Sequence, residues 1–435
     1  MFKITGTEGN VWYYDQYLAA FWDQWYNPIN VESLDSVLHC RLTDDEYVNR
    51  LYRYRELKPD VRHYVDKQAI HRVKIQLGLH CNYKCKYCCQ HDAKDFIPSG
   101  VELEKFFNLI RNIDLDWSDI YSLELWGGEP LVYWKILKPI IEFFRDEIQY
   151  KGALYITTNG SLFTADKSDF FTKHNIRVMF SHDGPAQKYW RNKKDWIEDD
   201  SIRECVVYHI QRGMRKFGAS STGTVNFVPT PQNAPFEKTI EFFNKKLFDG
   251  VPIGVEAALR CTRDSYSMWK REFTADRQKA MEDSLYRMAL YTEKDPYFMQ
   301  TIKSKHTLFK VINNLISGRL AVSFNSKCPT LGRDVLTFDL KGDLIVCHNT
   351  FPHFKCSGNV KDLNTCYTYG LQSFHSRKEC ADCWMLACCG GSCPLDDNYQ
   401  HLIECESVQW FDRAYMRAAW TIIFGEDIKM VEKVK

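Results

Sequence analysis

Six short apolar runs, each followed by residues of helical periodicity, constrain this chain more than any other feature. From residue 72 onward the runs are RVKIQLGL, YSLELWGG, ALYITTNG, IRVMFSHD, GTVNFVPT and PIGVEAAL. Between them lie helical patterns such as EKFFNLIRNID, WKILKPIIEFFRDEI and EKTIEFFNKKLF. Apolar runs of this length, bounded by turn residues, read as strands buried in a parallel sheet. Strand and helix in strict alternation make consecutive βαβ units, so the expectation is an α/β domain, a partial (β/α)6 TIM-like barrel over residues 72–257. Chemistry in such a barrel gathers at the carboxyl ends of the strands.

The flanking regions read differently. Residues 1–71 form an N-terminal region without a clear fold pattern and a candidate for substrate recognition. A helix is expected over WYYDQYLAAFWDQWYNP, ended by Pro28, then a mixed stretch through DDEYVNRLYRYREL, with the aromatic residues as core. Residues 258–327 read as a helical linker. One helix follows the N-cap Thr274, and a second, FMQTIKSKHTLFKVINNLIS, stops at Gly318. Residues 328–406 hold ten of the seventeen cysteines and little helical signal. Residues 407–435 are expected to be one amphipathic closing helix capped by Gly425.

Composition narrows the function classes. A chain that is 45% hydrophobic and 26% charged, with a net charge of +1, is globular and lacks the basic excess of a nucleic-acid binder. The local cluster KSKH (Lys303 to His306) reads as solvated helix surface. No apolar run approaches the roughly 18 residues that cross a bilayer, and the first residues lack a signal-peptide pattern. A cytoplasmic chain without membrane or nucleic-acid partners is expected. Seventeen cysteines in that compartment do not make a disulfide framework, which leaves metal or cluster ligation as the leading explanation.

The stretch CNYKCKYCCQ (Cys81 to Gln90) places four of those cysteines just after the first strand. Cys81, Cys85 and Cys88 have the spacing C-x3-C-x2-C, and Cys89 is surplus. Three thiolates on one short loop can hold three irons of a [4Fe–4S] cube and leave the fourth open to a small chelating molecule. A zinc ribbon would instead use two C-x2-C pairs in a closed site. The spacing, with Tyr87 before the third cysteine, resembles the signature of the radical S-adenosylmethionine (SAM) superfamily. Further motifs follow successive strands. GGEP (Gly127, Gly128, Glu129 and Pro130) resembles the superfamily loop that holds the methionine amine: its glycines let backbone carbonyls approach the ligand, and Glu129 can pair with the ammonium. TTNG resembles the position where Asn159 contacts SAM. SHDGP resembles the family's SLDGP, which implies Ser181 and then Arg191 as partners of the SAM carboxylate and Tyr87 along the adenine. Singly, NG and DG are ordinary turn signals; their order on successive strands carries the resemblance.

The later cysteines follow a second pattern. Cys328 is followed by thirteen residues, Gly342, four residues and Cys347, then by Cys380-x2-Cys383-x5-Cys389-x3-Cys393 and Cys405. This resembles the seven-cysteine signature of the SPASM domain, a loop-rich C-terminal iron–sulfur domain with two auxiliary clusters. The resemblance implies that Cys380, Cys383, Cys389 and Cys405 fully ligate the cluster farther from SAM, while Cys328, Cys347 and Cys393 hold the nearer one. That nearer cluster has either an open iron or a further ligand from Cys261, Cys356 or Cys366. Cys40, Cys205 and Cys388 read as ordinary thiols; two structural zinc sites are the bland alternative.

Taken together, the resemblances imply three [4Fe–4S] clusters and SAM as cofactors, an electron donor such as flavodoxin or ferredoxin, and a 5′-deoxyadenosyl radical that takes a hydrogen atom from a C–H bond. Two auxiliary clusters suggest an electron exit, so the expected net reaction is oxidative. SPASM enzymes mostly modify peptides. The expected function is therefore oxidative modification of a ribosomally made precursor peptide, through an intramolecular carbon–carbon, ether or thioether cross-link. Formylglycine formation of the sulfatase-maturase kind, or small-molecule alcohol oxidation, is the alternative with the same cofactors. A zinc-stapled interaction protein is the alternative of another class. In sulfatase maturases an Asp serving as general base follows the second SPASM cysteine. Here that position is His348, in VCHNT, either an exposed loop residue or a proton acceptor.

Overall fold

The computed structural model describes residues 1–16, 20–25, 29, 62–90, 102–191, 195–217, 223–256, 265–292, 294–295, 297, 299–316, 334–371, 377–389, 391 and 393–434. It divides into two compact units: residues 62–260 with 330–370, and residues 1–61 with 261–329 and 371–435.

The first unit is built on a parallel sheet whose strands are β1 (Arg72–Gln76), β2 (Ser122–Trp126), β3 (Ala153–Thr158), β4 (Ile176–Ser181), β5 (Gly223–Phe227), β6 (Ile253–Val255) and β7 (Val335–Asp339). The strand order is β6-β5-β4-β3-β2-β1-β7, parallel throughout. All six strands read from the sequence are present. The seventh was missed. VLTFD lies far along the chain among cysteines, and it joins the open edge of β1 with Thr337 opposite Lys74 and Asp339 opposite Gln76.

Helices Leu103–Asn112, Trp134–Glu142, Ala165–Lys173, Asp200–Phe217 and Phe236–Lys246 connect the strands. Each buries residues at helical spacing, as with Phe106, Leu109 and Ile110 in the first.

The strands do not carry the uniform burial expected of them. Val73 and Ile75, Leu123 and Leu125, Leu154 and Ile156, and Val178 and Phe180 form one buried apolar face. The alternate positions, Lys74, Glu124, Trp126, Tyr155, Thr157, Arg177 and Ser181, are half-buried and mostly polar. Successive side chains point to opposite faces, so this alternation gives the sheet a second, hydrophilic face. A closed barrel packed with side chains would bury that face; a partial barrel leaves it available to line a site.

The turn after β7 explains the glycine of the later motif. Gly342 has φ +84°, and an added Cβ would lie 2.7 Å from the Leu109 side chain. Only glycine fits both the conformation and the space. A small antiparallel sheet of His63–Tyr64, Tyr367–Thr368 and Cys356–Ser357 completes the unit.

The second unit contains a four-stranded antiparallel sheet in the order Ile428–Lys433, Phe2–Gly6, Val11–Asp15, Ala20–Asp23. The helix expected over WYYDQYLAAFWDQWYNP is therefore corrected to two strands within its described residues. Trp12, Tyr14 and Phe21 alternate inward and pack on Trp420 and Phe424, with Trp12 and Trp420 at 5.6 Å and Phe21 and Phe424 at 5.3 Å. Aromatic residues at period two suit a pleated sheet better than a helix. Those three are core as expected, while Trp25 of the same stretch is 72% exposed. DDEYVNRLYRYREL lies outside the described residues.

Helices Tyr266–Glu272, Ala275–Leu290, Ile302–Ile316 and Asn398–Phe424 make up the rest. The closing helix begins at Asn398, nine residues before the expected Ser407, and its N-cap Asp397 accepts a hydrogen bond from Gln400 N. Cys405 consequently sits inside the helix. The helix ends at Gly425 (φ +84°) as expected, but residues 428–433 form a strand. KSKH is not all solvated surface: Ser304 and Lys305 are buried, and Lys305 Nζ donates to the Ala289 carbonyl. Among the described residues no helix is long and apolar enough to cross a membrane.

Candidate cofactor sites

The loop after β1 carries Cys81, Cys85 and Cys88, none in a disulfide and all half-buried, while Cys89 is the exposed member of the four. A turn from Cys88 N to Cys85 O (3.2 Å) folds the second and third cysteines together. The loop is tied at several points. Lys86 N donates to Trp190 O at 2.9 Å, His80 N donates to the Tyr133 hydroxyl at 2.8 Å, and Asn82 donates to Ser161 Oγ at 2.9 Å. Burial pushes Cys81 up to about 12, with the nearby Glu129, Cys85 and Cys88 adding to the rise. A buried Cys81 whose ionised form its neighbours disfavour suits a shared cationic centre better than a lone thiolate. The donor set fits an iron–sulfur cube with one iron left open.

The GGEP loop docks directly against this one. Gly128 N donates to Gly78 O and Glu129 N to His80 O, both at 3.0 Å. A Cβ on Gly128 would lie 2.3 Å from the carbonyl oxygens of Leu79 and His80, and one on Gly127 would lie 2.8 Å from that of Gly78. In this chain the two glycines thus permit backbone to approach backbone. Glu129 is only 1% exposed. One of its oxygens accepts from Leu131 N (3.0 Å) and Thr158 Oγ1 (2.6 Å), the other from Asn159 N (2.7 Å). Burial raises its pKa against the pull of these hydrogen bonds and of Arg191. Glu129 therefore ties the end of β2 to the end of β3. Its second oxygen keeps acceptor capacity beyond the bond from Asn159. Asn159 Nδ2 donates to Asn82 Oδ1 (2.8 Å) and lies 4.0 Å from Cys81 Sγ, joining the third loop to the first.

At the end of β4 the structure reveals a residue that motif reading passed over. Asp183, the acid in SHDGP, is 0% exposed. It accepts from the Tyr87 hydroxyl (2.6 Å), Arg191 Nε (3.0 Å), Arg191 Nη2 (3.2 Å) and Val228 N (3.1 Å). Both Tyr87 and Arg191, expected as SAM contacts, are thereby anchored on one buried carboxylate. Burial works against the Arg191 charge, and Asp183 more than offsets it, holding the guanidinium above its ordinary value. Burial raises Tyr87 well above the usual phenol range. The signal that could have exposed Asp183 is an acid eight residues before an arginine, just past the end of a strand. Ser181 is half-buried on the polar face of β4, opposite Asn226 of β5.

Deeper on that face, Lys74 Nζ and Glu124 lie 2.6 Å apart with side chains 14% and 13% exposed, and Arg177 donates to the Tyr155 hydroxyl at 2.6 Å. His348 is not an exposed loop residue. Its ring lies 4.3 Å from that of Trp126 and its Nδ1 3.4 Å from Lys74 Nζ. Gln76 Nε2 holds the segment by donating to the carbonyls of His348 (2.9 Å) and Thr350 (2.8 Å). Burial, then Lys74, lowers His348 well below the ordinary imidazole value.

In the second unit Cys380, Cys383, Cys389 and Cys405 line one pocket with Met385, Leu386, His401, Val408, Gln409 and Asp412. The first two come from a turn in which Cys383 N donates to Cys380 O at 3.2 Å. Burial pushes Cys380 up to about 12 and Cys383 to about 11, with neighbouring thiols contributing to both. Four cysteines around one apolar pocket fit a closed cluster site. Cys388 donates instead to the Asp412 carbonyl at 3.6 Å. Cys393 groups with Asp396 and Glu404, ligand atoms within 4.8 Å of one another, and the buried Arg377 donates to the carbonyls of Cys393 (2.8 Å) and Asp396 (3.2 Å).

Cys347 belongs to the first unit and Cys393 to the second, while Cys328, Cys261 and Cys40 lie outside the described residues. Cys356 and Cys366 are buried and donate to the carbonyls of Leu344 (3.1 Å) and Asp362 (3.7 Å). Cys205 is half-buried on the Asp200–Phe217 helix.

With this geometry in hand, comparison with known proteins gives consistent results. Residues 75–243 match the model of the Radical SAM superfamily. The radical SAM cyclopropyl synthase TigE of Paramaledivibacter caminithermalis is 21% identical over 79% of this chain and 72% of its own length. The GTP 3′,8-cyclase of Syntrophomonas wolfei is 30% identical, over 27% of this chain and 35% of its own. Among solved structures, anSMEcpe with bound AdoMet and the Cp18Cys peptide superposes with a TM-score of 0.51 at 16% identity, covering 81% of this chain and 99% of that one. At that identity the likeness concerns the fold.

Proposed function

We propose, on the premise that this chain is an enzyme of the radical SAM class with its superfamily domain over residues 75–243, that it oxidatively modifies a ribosomally made precursor peptide by forming an intramolecular cross-link. The observation that carries the reading is the convergence of three loops on one place. The three-cysteine loop, the GGEP loop and the TTNG loop are joined through Glu129 and Asn159 at the carboxyl ends of adjacent parallel strands. That is where a parallel α/β sheet presents its ligands.

Cys81, Cys85 and Cys88 would hold a [4Fe–4S] cluster, and Tyr87, Gly127, Gly128, Glu129, Asn159, Ser181 and Arg191 would surround SAM. When bound, that pair supplies a 5′-deoxyadenosyl radical able to take a hydrogen atom from an unactivated C–H bond. The chain's own residues position and shield. Glu129 keeps an acceptor available for an ammonium group, Asp183 fixes the orientation of Arg191 and Tyr87, and the buried apolar face of the sheet keeps water from behind the site. The hydrophilic inner face, with Lys74, Glu124, Tyr155, Arg177 and His348, would receive the substrate segment.

Cys380, Cys383, Cys389 and Cys405 would hold an auxiliary cluster. An auxiliary cluster suits a reaction that removes electrons: closing one carbon–carbon bond between two C–H carbons removes two hydrogens, one taken as a hydrogen atom by the radical and the other leaving as one proton and one electron. Resemblance to a cyclopropyl synthase favours a carbon–carbon bond over an ether or thioether. An external one-electron donor of the flavodoxin or ferredoxin kind would start each turnover.

The test is co-expression with each short open reading frame beside the gene, followed by mass spectrometry of the peptide. Loss of two hydrogens per modification, with fragment ions missing between the joined residues, is the expected result. An unchanged peptide in every pairing, from protein that still cleaves SAM, overturns the cross-linking assignment.

A further inference from the structure

We infer that three side chains on one face of the Asn398–Phe424 helix, His401, Gln409 and Asp412, set the reduction potential of the cluster held by Cys380, Cys383, Cys389 and Cys405. The inference rests on the four-thiol reading of that pocket. His401 lies four residues before Cys405, Gln409 four after it and Asp412 seven after it, so the helix presents all four residues on one side. All four line the pocket.

Two of the three meet a ligand cysteine. Gln409 Nε2 donates to Cys405 Sγ at 3.4 Å, and His401 Nε2 lies 3.8 Å from Cys380 Sγ, within reach of an N–H···S bond in the Nε2–H tautomer. Asp412 is buried at 4% exposure on the wall of the same pocket. The remaining lining includes Met385, Leu386 and Val408, which lower the local dielectric and strengthen these effects.

The signs follow from charge. Reduction adds an electron to a cluster that is already anionic with its thiolates. An N–H directed at a ligand sulfur stabilises the reduced form and raises the potential. A buried carboxylate opposes the added electron and lowers it. Cluster potentials respond to net charge and to hydrogen bonds on sulfur, and outer-shell partners tune a metal centre alongside its ligands. The same helix therefore carries two opposed controls, an arrangement suited to holding the cluster at an intermediate potential on an electron-exit route.

The experiment is a redox titration of the anaerobically reconstituted full-length chain followed by electron paramagnetic resonance. The signal is assigned as the one missing from Cys383→Ala. Gln409→Leu and His401→Phe are expected to lower the midpoint and Asp412→Asn to raise it. A tenfold change in the reduction equilibrium appears as about 59 mV for a one-electron couple. Iron and sulfide contents should match the parent chain in all three. Gln409 is half-buried, so Gln409→Leu carries the test even where His401→Phe fails to fold. An unmoved potential, or Asp412→Asn shifting in the same direction as Gln409→Leu, overturns the inference. Full iron content and an unchanged spectrum in Cys383→Ala would instead overturn the four-thiol reading.

Discussion

Removing the Asp183 carboxylate should be among the most damaging single changes in the first unit, and its cost can be worked from its partners. The side chain is 0% exposed and receives two hydrogen bonds from Arg191, one from Tyr87 and one from Val228 N. Arg191 is itself 7% exposed. In Asp183→Ala the guanidinium stays buried with its opposite charge gone, a change that costs about 3–5 kcal/mol when a buried pair is broken on one side. Replacing both members, Asp183→Ala with Arg191→Leu, removes the stranded charge and should recover about 2–3 kcal/mol of that loss, the coupling expected of contacting charges. The assay is anaerobic urea unfolding of parent, single and double variants, followed by tryptophan fluorescence, since Trp190 lies 5.9 Å from Tyr87. If the two single costs simply add in the double variant, the buried-pair account of this site is refuted. SAM affinity measured on the same proteins separates the anchoring role: Tyr87→Phe, which removes one donor to Asp183, should weaken binding less than Asp183→Ala does.

Gly128→Ala would place a Cβ 2.3 Å from two backbone carbonyl oxygens, so the GGEP loop must move and lose its bonds to Gly78 and His80. A loss of about 1–3 kcal/mol follows from two hydrogen bonds, with weakened SAM binding by calorimetry; unchanged affinity would refute the docking role. Lys74→Met strands Glu124 on the inner face at a cost of about 1–3 kcal/mol, discounted for partial exposure, and Lys74→Met with Glu124→Leu should recover most of it in the same unfolding assay. His209 has its pKa pushed down from 6.5 to about 4, first by burial, among Phe163, Phe171 and Phe180. The folded state therefore resists a proton that the unfolded chain accepts. Stability from this group is full above pH 6.5 and falls by about 3 kcal/mol as pH drops toward 4. The difference between parent and His209→Phe urea midpoints across that window should show this slope, and a pH-independent difference would count against it.

The candidate cluster residues were legible because their information is local. C-x3-C-x2-C places three thiols on one loop whatever the rest of the chain does, and the six apolar runs became strands because each run specifies its own element. Where the reading failed, the deciding contact lay far away in sequence. Arg72 and Gln76 could not announce a neighbour at Val335 and Asp339. The strand Phe2–Gly6 pairs with Ile428–Lys433 across almost the whole chain, so the aromatic N-terminal segment became sheet because Trp420 and Phe424 were there to receive it. Tertiary contacts override helical propensity in this way when large aromatic surfaces are buried.

The same division runs through the sites. The SPASM resemblance nominated Cys380, Cys383, Cys389 and Cys405, yet their shared pocket exists because a helix starting at Asn398 brings Cys405 to the others. Arg191 was visible as a charge, but its partner was not, because a motif shows which groups are present and not which are desolvated together. The sequence by itself determined which side chains are candidates for cluster binding and that the first three follow a strand, since loop chemistry and strand periodicity act over a few residues. Only the tertiary structure decided that Asp183 neutralises Arg191, that His348 faces the inner side of the sheet and that Glu129 joins two strand ends. Burial and opposite charge are properties of the packed neighbourhood, and no single segment carries them.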